Sequence, residues 1–180
     1  MKTMMRIASF PNALALTLPI ALAVAACSPV AAGSAKAPAA AKGAAAVSVH
    51  PISGLKIIPL TVTSASTSGT SGVHKFKVEL AASPEAQEQG LMFRTAMGAD
   101  EGMIFPMDPP RRASFWMKNT VISLDLIFVG LDHKVLNVAA NAVPYAMSPI
   151  SATGITGGVL ELNAGRAAQL GIKPGDVVRW

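Results

Sequence analysis

A single cysteine, Cys27, stands in a chain of 180 residues, so no internal disulfide can staple the fold. Histidine is nearly as scarce. Of the three, His50 lies beside a low-complexity segment, His74 opens a strand with one wet face and His133 falls in an expected turn, which supplies neither a catalytic triad nor a zinc set. Charged residues make up only 14% of the chain, and the formal excess of +5 dissolves once it is located. Lys2, Arg6, Lys36 and Lys42 all precede the folded part; without these 4, the 15 basic residues become 11, against 10 acidic ones. A domain this close to neutral has no footprint for a polyanion, so nucleic acid is not an expected partner, and the Arg111-Arg112 pair reads as solvated loop. Internal repeats are missing. So are long apolar runs: residues 8–26 form the most extended one, too short and too rich in alanine to be read as a membrane span.

That run suits a different purpose. Lys2 and Arg6 precede it, which gives the charged n-region and apolar h-region of a secretory signal. It ends in Val24-Ala25-Ala26-Cys27, which resembles the lipobox cut by the bacterial lipoprotein signal peptidase. Residues 1–26 are therefore read as a signal peptide and Cys27 as the acylated first residue of the mature chain. An ordinary signal cut nearby would leave a free thiol, a weaker reading because the only cysteine closes the apolar run. Each buried methylene of an acyl chain adds about 0.8 kcal/mol of membrane affinity, so several chains on one residue anchor firmly. Ser28 after the cysteine resembles lipoproteins passed on to the outer membrane, and the expected location is periplasm-facing. Residues 27–54, built from Ala, Pro, Gly, Ser and Lys, read as a disordered tether, with one β-rich domain over 55–180.

Within that domain, residues 56–62 form a β-rich run whose Pro59 suits an edge strand. Residues 64–72 are small and polar, a loop. Phe76, Val78 and Leu80 alternate with polar neighbours, the pattern of a strand with one wet face. Ser83-Pro84-Glu85 starts a short helix with serine as cap and proline at the first helical position, and Gly90 ends it. Gly102-Met103-Ile104-Phe105-Pro106-Met107 is a short strand followed by a loop over 108–112. Phe115 to Thr120 reads as a strand, 121–123 as a turn and 124–129 as a second strand, with a hairpin turn at 130–134 leading to Val135-Leu136-Asn137-Val138. Residues 139–158 read as a long loop, 159–162 as a strand, and Asn163 as the cap of a helix ending at Gly171, before a last strand over 176–180. Seven or eight short strands with two short helices predict a mainly β fold, a compact β-sandwich or barrel, in a chain read as monomeric.

Gly90-Leu91-Met92 with Arg94, Gly102-Met103-Ile104-Phe105, Phe115-Trp116-Met117-Lys118-Asn119-Thr120, Leu124-Asp125-Leu126-Ile127-Phe128, Leu160-Glu161 with Ala164-Gly165, and Gly175-Asp176 stand in order. Together they resemble the bacterial and archaeal domain-of-unknown-function 192 family over residues 75–180. The resemblance implies a small β-rich domain, commonly exported or lipid-anchored, and no established activity. Ser123 stands where the family pattern often has proline, and the alanine-rich tether lies outside the family domain.

The chemistry-bearing residues cluster in these segments. On a strand over 124–129, Asp125 shares a face with Ile127 and Val129 while Leu124, Leu126 and Phe128 take the other, so both faces are apolar and Asp125 is expected to be buried. A buried carboxylate needs partners, and Arg94, Lys118, Asn119 and local backbone N–H groups are the candidates. Glu161 is set among Leu160, Leu162 and Val159 in the same way. Two readings follow. Either these groups form a structural network that fixes turns and register, or Arg94, Lys118, Asn119, Asp125 and Glu161 line one pocket with Trp116 as its apolar wall. The first functional expectation is a non-enzymatic binding or accessory module of the cell envelope, with a small ligand or an envelope protein as partner and no cofactor or metal. A hydrolase or transferase using Asp125 and Glu161 is the rival, and Cu(I) on Met92, Met103 and Met117 is a lesser one, since those methionines also suit core packing.

Overall fold

The computed structural model describes residues 48–64 and 72–180. The expected signal, Cys27, the tether up to residue 47 and the middle of the 64–72 loop lie outside the described residues. Within them the chain runs through β1 (Ile57–Thr63), β2 (Val73–Leu80), α1 (Pro84–Gln89), β3 (Glu101–Arg111), β4 (Ser114–Phe115), β5 (Leu124–Gly130), β6 (Val135–Ala142), β7 (Ile150–Ser151), β8 (Thr156–Asn163), α2 (Arg166–Leu170) and β9 (Val177–Arg179). Seven strands form one sheet in the order β6-β5-β8-β3-β2-β1-β9, and β4 pairs with β7 in a small second sheet. The fold is mainly β with two short helices. The barrel alternative gives way, because the outer strands touch at one corner, through the Lys134–Val177 bridge, and the large sheet curls without closing.

The sheet is apolar on both faces. Every residue of β5 is buried, as a strand between β6 and β8 requires, and its two alternating sets go to different cores. Ile127 and Val129 join Leu60, Val62, Phe76 and Val78 on one side; Leu124, Leu126 and Phe128 join Met103, Phe105 and Val159 on the other. A parallel pair needs a crossover, and β2 runs parallel to β3. The crossover carries α1 and Leu91 over the second core, where Ala86 and Leu91 pack. Ser83 Oγ accepts from Ala86 N at 3.2 Å and Gly90 ends α1 at positive φ, as the sequence implies. Pro59 sits where β1 borders β2 alone, since β9 pairs only with Thr61, Val62 and Thr63.

Four expectations change. The strand from Phe115 to Thr120 shrinks to β4, because Met117 N donates to Ala146 O at 2.9 Å and Thr120 N to Met117 O at 3.1 Å, winding the chain into a turn. β3 continues through the expected 108–112 loop by shifting register between Pro106 and Arg111. β6 and β7 occupy much of the expected 139–158 loop. Asn163 does not cap α2: its amide donates to Met97 O and Gly98 O at 2.9 and 3.0 Å, and the cap comes from Asp125 instead.

Candidate functional site

Asp125 is fully buried, and backbone N–H groups satisfy it. Its Oδ1 accepts from Asn141 N at 2.9 Å and from Gly165 N at 3.0 Å, and its Oδ2 accepts from Ala167 N at 2.8 Å. The carboxylate therefore serves as the cap that Gly165 cannot provide, pinning the first turn of α2 and the end of β6 to β5. Of the partners expected for it, backbone N–H groups are the ones found.

Arg94 goes elsewhere. Its guanidinium forms a two-pronged pair with Glu79, Nη1 to Oε1 at 2.8 Å and Nη2 to Oε2 at 3.1 Å, with both side chains almost fully buried. His50 Nε2 lies 3.1 Å from Nη1, and Ser53 Oγ donates to Glu79 Oε2. Residues 48–55, expected within or beside the tether, thus form a turn, held by Gly54 N to His50 O at 2.8 Å, that closes over this pair. The sequence reading missed Glu79, His50 and Ser53; the one available signal was a lone glutamate at the end of an otherwise alternating strand.

Glu161 is different from both. It lies on β8 opposite Met103 of β3 and Leu126 of β5, on the second apolar face, and only 5% of it is exposed. Burial pushes its carboxyl up to about 8, with no hydrogen bond or cation to oppose the shift among the described residues. Asp125 pairs in register with Leu162, one place along from Glu161, so the two carboxyls face opposite sides of the sheet and form no acid–base pair.

The Glu161 side is open. A cavity of about 370 Å³ lies over it, walled by Phe105, Phe115 and Trp116 and bordered by Met92, Lys118 and Arg111. Phe115 stands edge-on between Phe105, at 5.1 Å, and Phe128, at 6.3 Å, which fixes the wall. Trp116 is half exposed, and Lys118 Nζ sits 5.1 Å from its ring centroid. Backbone bonds between three segments hold the mouth: Phe93 N to Asn119 O at 2.8 Å, Tyr145 N to Thr120 O at 3.2 Å, and Met117 N to Ala146 O at 2.9 Å. Asn119 takes a left-handed φ of 55°, tolerable for asparagine, and its Nδ2 lies 3.8 Å from Met92 Sδ. Beneath it β3 and β8 lie close, since a Cβ on Gly102, on the opposite face of the sheet, would come 2.5 Å from the Glu161 carbonyl oxygen. Trp116, Lys118 and Glu161 thus share the cavity, Asn119 braces its mouth, Arg94 lines a neighbouring depression of about 770 Å³, and Asp125 lies in the core. Met103 and Met117 fill the second core.

A family model described as DUF192, an uncharacterised group, matches residues 64–180. The chain belongs to this family. Solved structures resemble the chain as well. The crystal structure of a protein of unknown function from Novosphingobium aromaticivorans DSM 12444 is 59% identical, covering 76% of this chain and 94% of its own, with a TM-score of 0.71. A protein from Sinorhizobium meliloti 1021, proposed to be a transcription regulator, is 37% identical over 69% of this chain and 94% of its own, with a TM-score of 0.66. No curated protein matches. The DUF192 match spans β2 to β9 and so contains every wall of the cavity.

Proposed function

We propose that this protein is an exported lipoprotein, anchored through Cys27 and facing the periplasm at the outer membrane, whose β domain binds a small organic ligand in the cavity over Glu161 without transforming it. The observation that carries the binding reading is the Glu161 carboxyl, buried on an apolar face with no partner among the described residues and opening into an aromatic-walled cavity. A group in that position costs stability, and a ligand that completes it recovers the cost. The cavity falls within the range of small-molecule sites, about 300 to 1,000 Å³. A polyanion does not fit, because the folded part carries 11 basic against 10 acidic residues, and the regulator description of the Sinorhizobium relative does not extend to this chain. It acts as a monomer.

Two measurements test the reading. A fragment library screened by thermal shift should yield compounds that stabilise the wild type and lose that effect in Trp116→Ala, which changes only a half-exposed ring. Compounds that stabilise both proteins equally would overturn the site. For the anchor, labelled palmitate should enter the wild type and not Cys27→Ala, and labelling of the variant to the same extent would overturn it.

A further inference from the structure

We propose that the cavity over Glu161 takes a small organic ammonium, its nitrogen on the carboxyl and its apolar body against Phe105, Phe115 and Trp116. This rests on the binding reading above and names the ligand class. The Glu161 carboxyl is more than nine-tenths buried and receives no donor from the described residues, which leaves its place in the cavity open to a ligand's donor. An ammonium offers three N–H donors and balances the charge of the ionised form, a charge-assisted pairing roughly twice as strong as a neutral hydrogen bond. The walls suit the same ligand. The three aromatic rings meet its apolar body, and Lys118 Nζ, 5.1 Å from the Trp116 centroid, is held at that ring rather than on Glu161.

The remaining charged groups are of mixed sign. Glu88 of α1, Arg111 of β3 and Lys118 of the turn after β4 line the cavity with Glu161, which makes two acids and two bases. The Arg111 guanidinium donates to Gln87 Oε1 at 3.3 Å. A carboxylate ligand is the poorer fit, because it sets a second anionic group beside Glu161 and leaves the two to share one proton.

The ammonium binds the ionised carboxyl, so the Glu161 proton leaves to solvent as the ion pair forms. With the free carboxyl titrating at about 8, apparent affinity should rise about tenfold from pH 6 to 7 and about fivefold from pH 7 to 8. The probes are 2-phenylethylamine, 2-phenylethanol and phenylacetate, titrated calorimetrically in two buffers of different ionisation heat. The amine should bind with this pH profile and release close to one proton at pH 7. Glu161→Gln should lose at least tenfold in affinity and the pH dependence, and Trp116→Ala should weaken binding while keeping the profile. If the alcohol or the acid binds through Glu161 and the amine does not, the ammonium assignment is overturned and the binding site stands. If no probe binds, or all bind wild type and both variants alike, both fall.

Discussion

A carboxyl group held on the apolar face of a sheet, with Met103 and Leu126 as its cross-strand neighbours, must either find a donor or keep its proton. Glu161 keeps its proton, and that choice has a sign. Its folded-state value of about 8 lies above the ordinary 4.5, so between those limits the folded chain holds a proton that the unfolded chain has released. Stability therefore falls as pH rises through that window, by up to about 1.4 kcal/mol per pH unit; below it the penalty is absent, and above it the penalty is constant. Glu161→Gln removes the titration. Urea unfolding at pH 5 and pH 8 should show the variant gaining on the wild type as pH rises, and parallel behaviour at the two pH values would mean that the carboxyl is not held neutral. Asp125, an equally buried carboxyl, has the donors that Glu161 lacks, because three backbone N–H groups reach it. Both residues look alike in sequence, a lone acid between large apolar side chains. Only the positions of distant amides separate the structural acid from the one left open.

The Asp125 bonds define how α2 begins. A five-residue helix opening at Gly165 has no side-chain cap of its own, and Asp125 reaches it from β5, 40 residues earlier in sequence. Asp125→Asn keeps one carbonyl oxygen for Asn141 N and Gly165 N but turns an NH₂ toward Ala167 N, donor against donor. The expected loss is about 2 to 4 kcal/mol of unfolding free energy by urea melts at pH 7, with exchange of the Ala167 and Ile172 amides rising most. A loss under 0.5 kcal/mol would show that α2 holds without this cap. The same geometry explains which elements could be read from the chain. The two-faced apolar alternation of 124–129 and the Ser83-Pro84 start of α1 are local patterns, and both stand where they were expected. Phe115 to Thr120 has equally strong strand composition, yet the Met117–Ala146 and Phe93–Asn119 bonds wind it into a turn, and neither partner is legible nearby in sequence. Asn163 was the natural cap by local pattern, and a carboxylate from another strand displaced it.

Arg94 and Glu79 tie together parts of the molecule that composition separates. The pair joins the corner after α1 to the end of β2, and His50 and Ser53 close over it from a turn that precedes β1. Composition assigns residues up to 54 to the tether because Ala, Gly and Ser dominate before them, but His50, Ser53 and Leu55 do the work of a lid. The lid matters energetically: a buried ion pair is stable only while its remaining lone pairs and protons are satisfied, and opening it to water on one side weakens the pairing. A chain starting at residue 48 should therefore unfold with the same urea midpoint as the chain starting at residue 28. A chain starting at residue 56 loses the Ser53 and His50 contacts together with the Val49–Lys56 bridge and the Ile57 N to Ser48 O bond, and should be less stable by about 2 to 4 kcal/mol. The shortened chain should still bind a ligand of the class proposed above, because the cavity over Glu161 is lined from residue 84 onward. Equal midpoints for the chains starting at 48 and 56 would return the 48–55 turn to the tether and leave Arg94 and Glu79 to hold each other unaided.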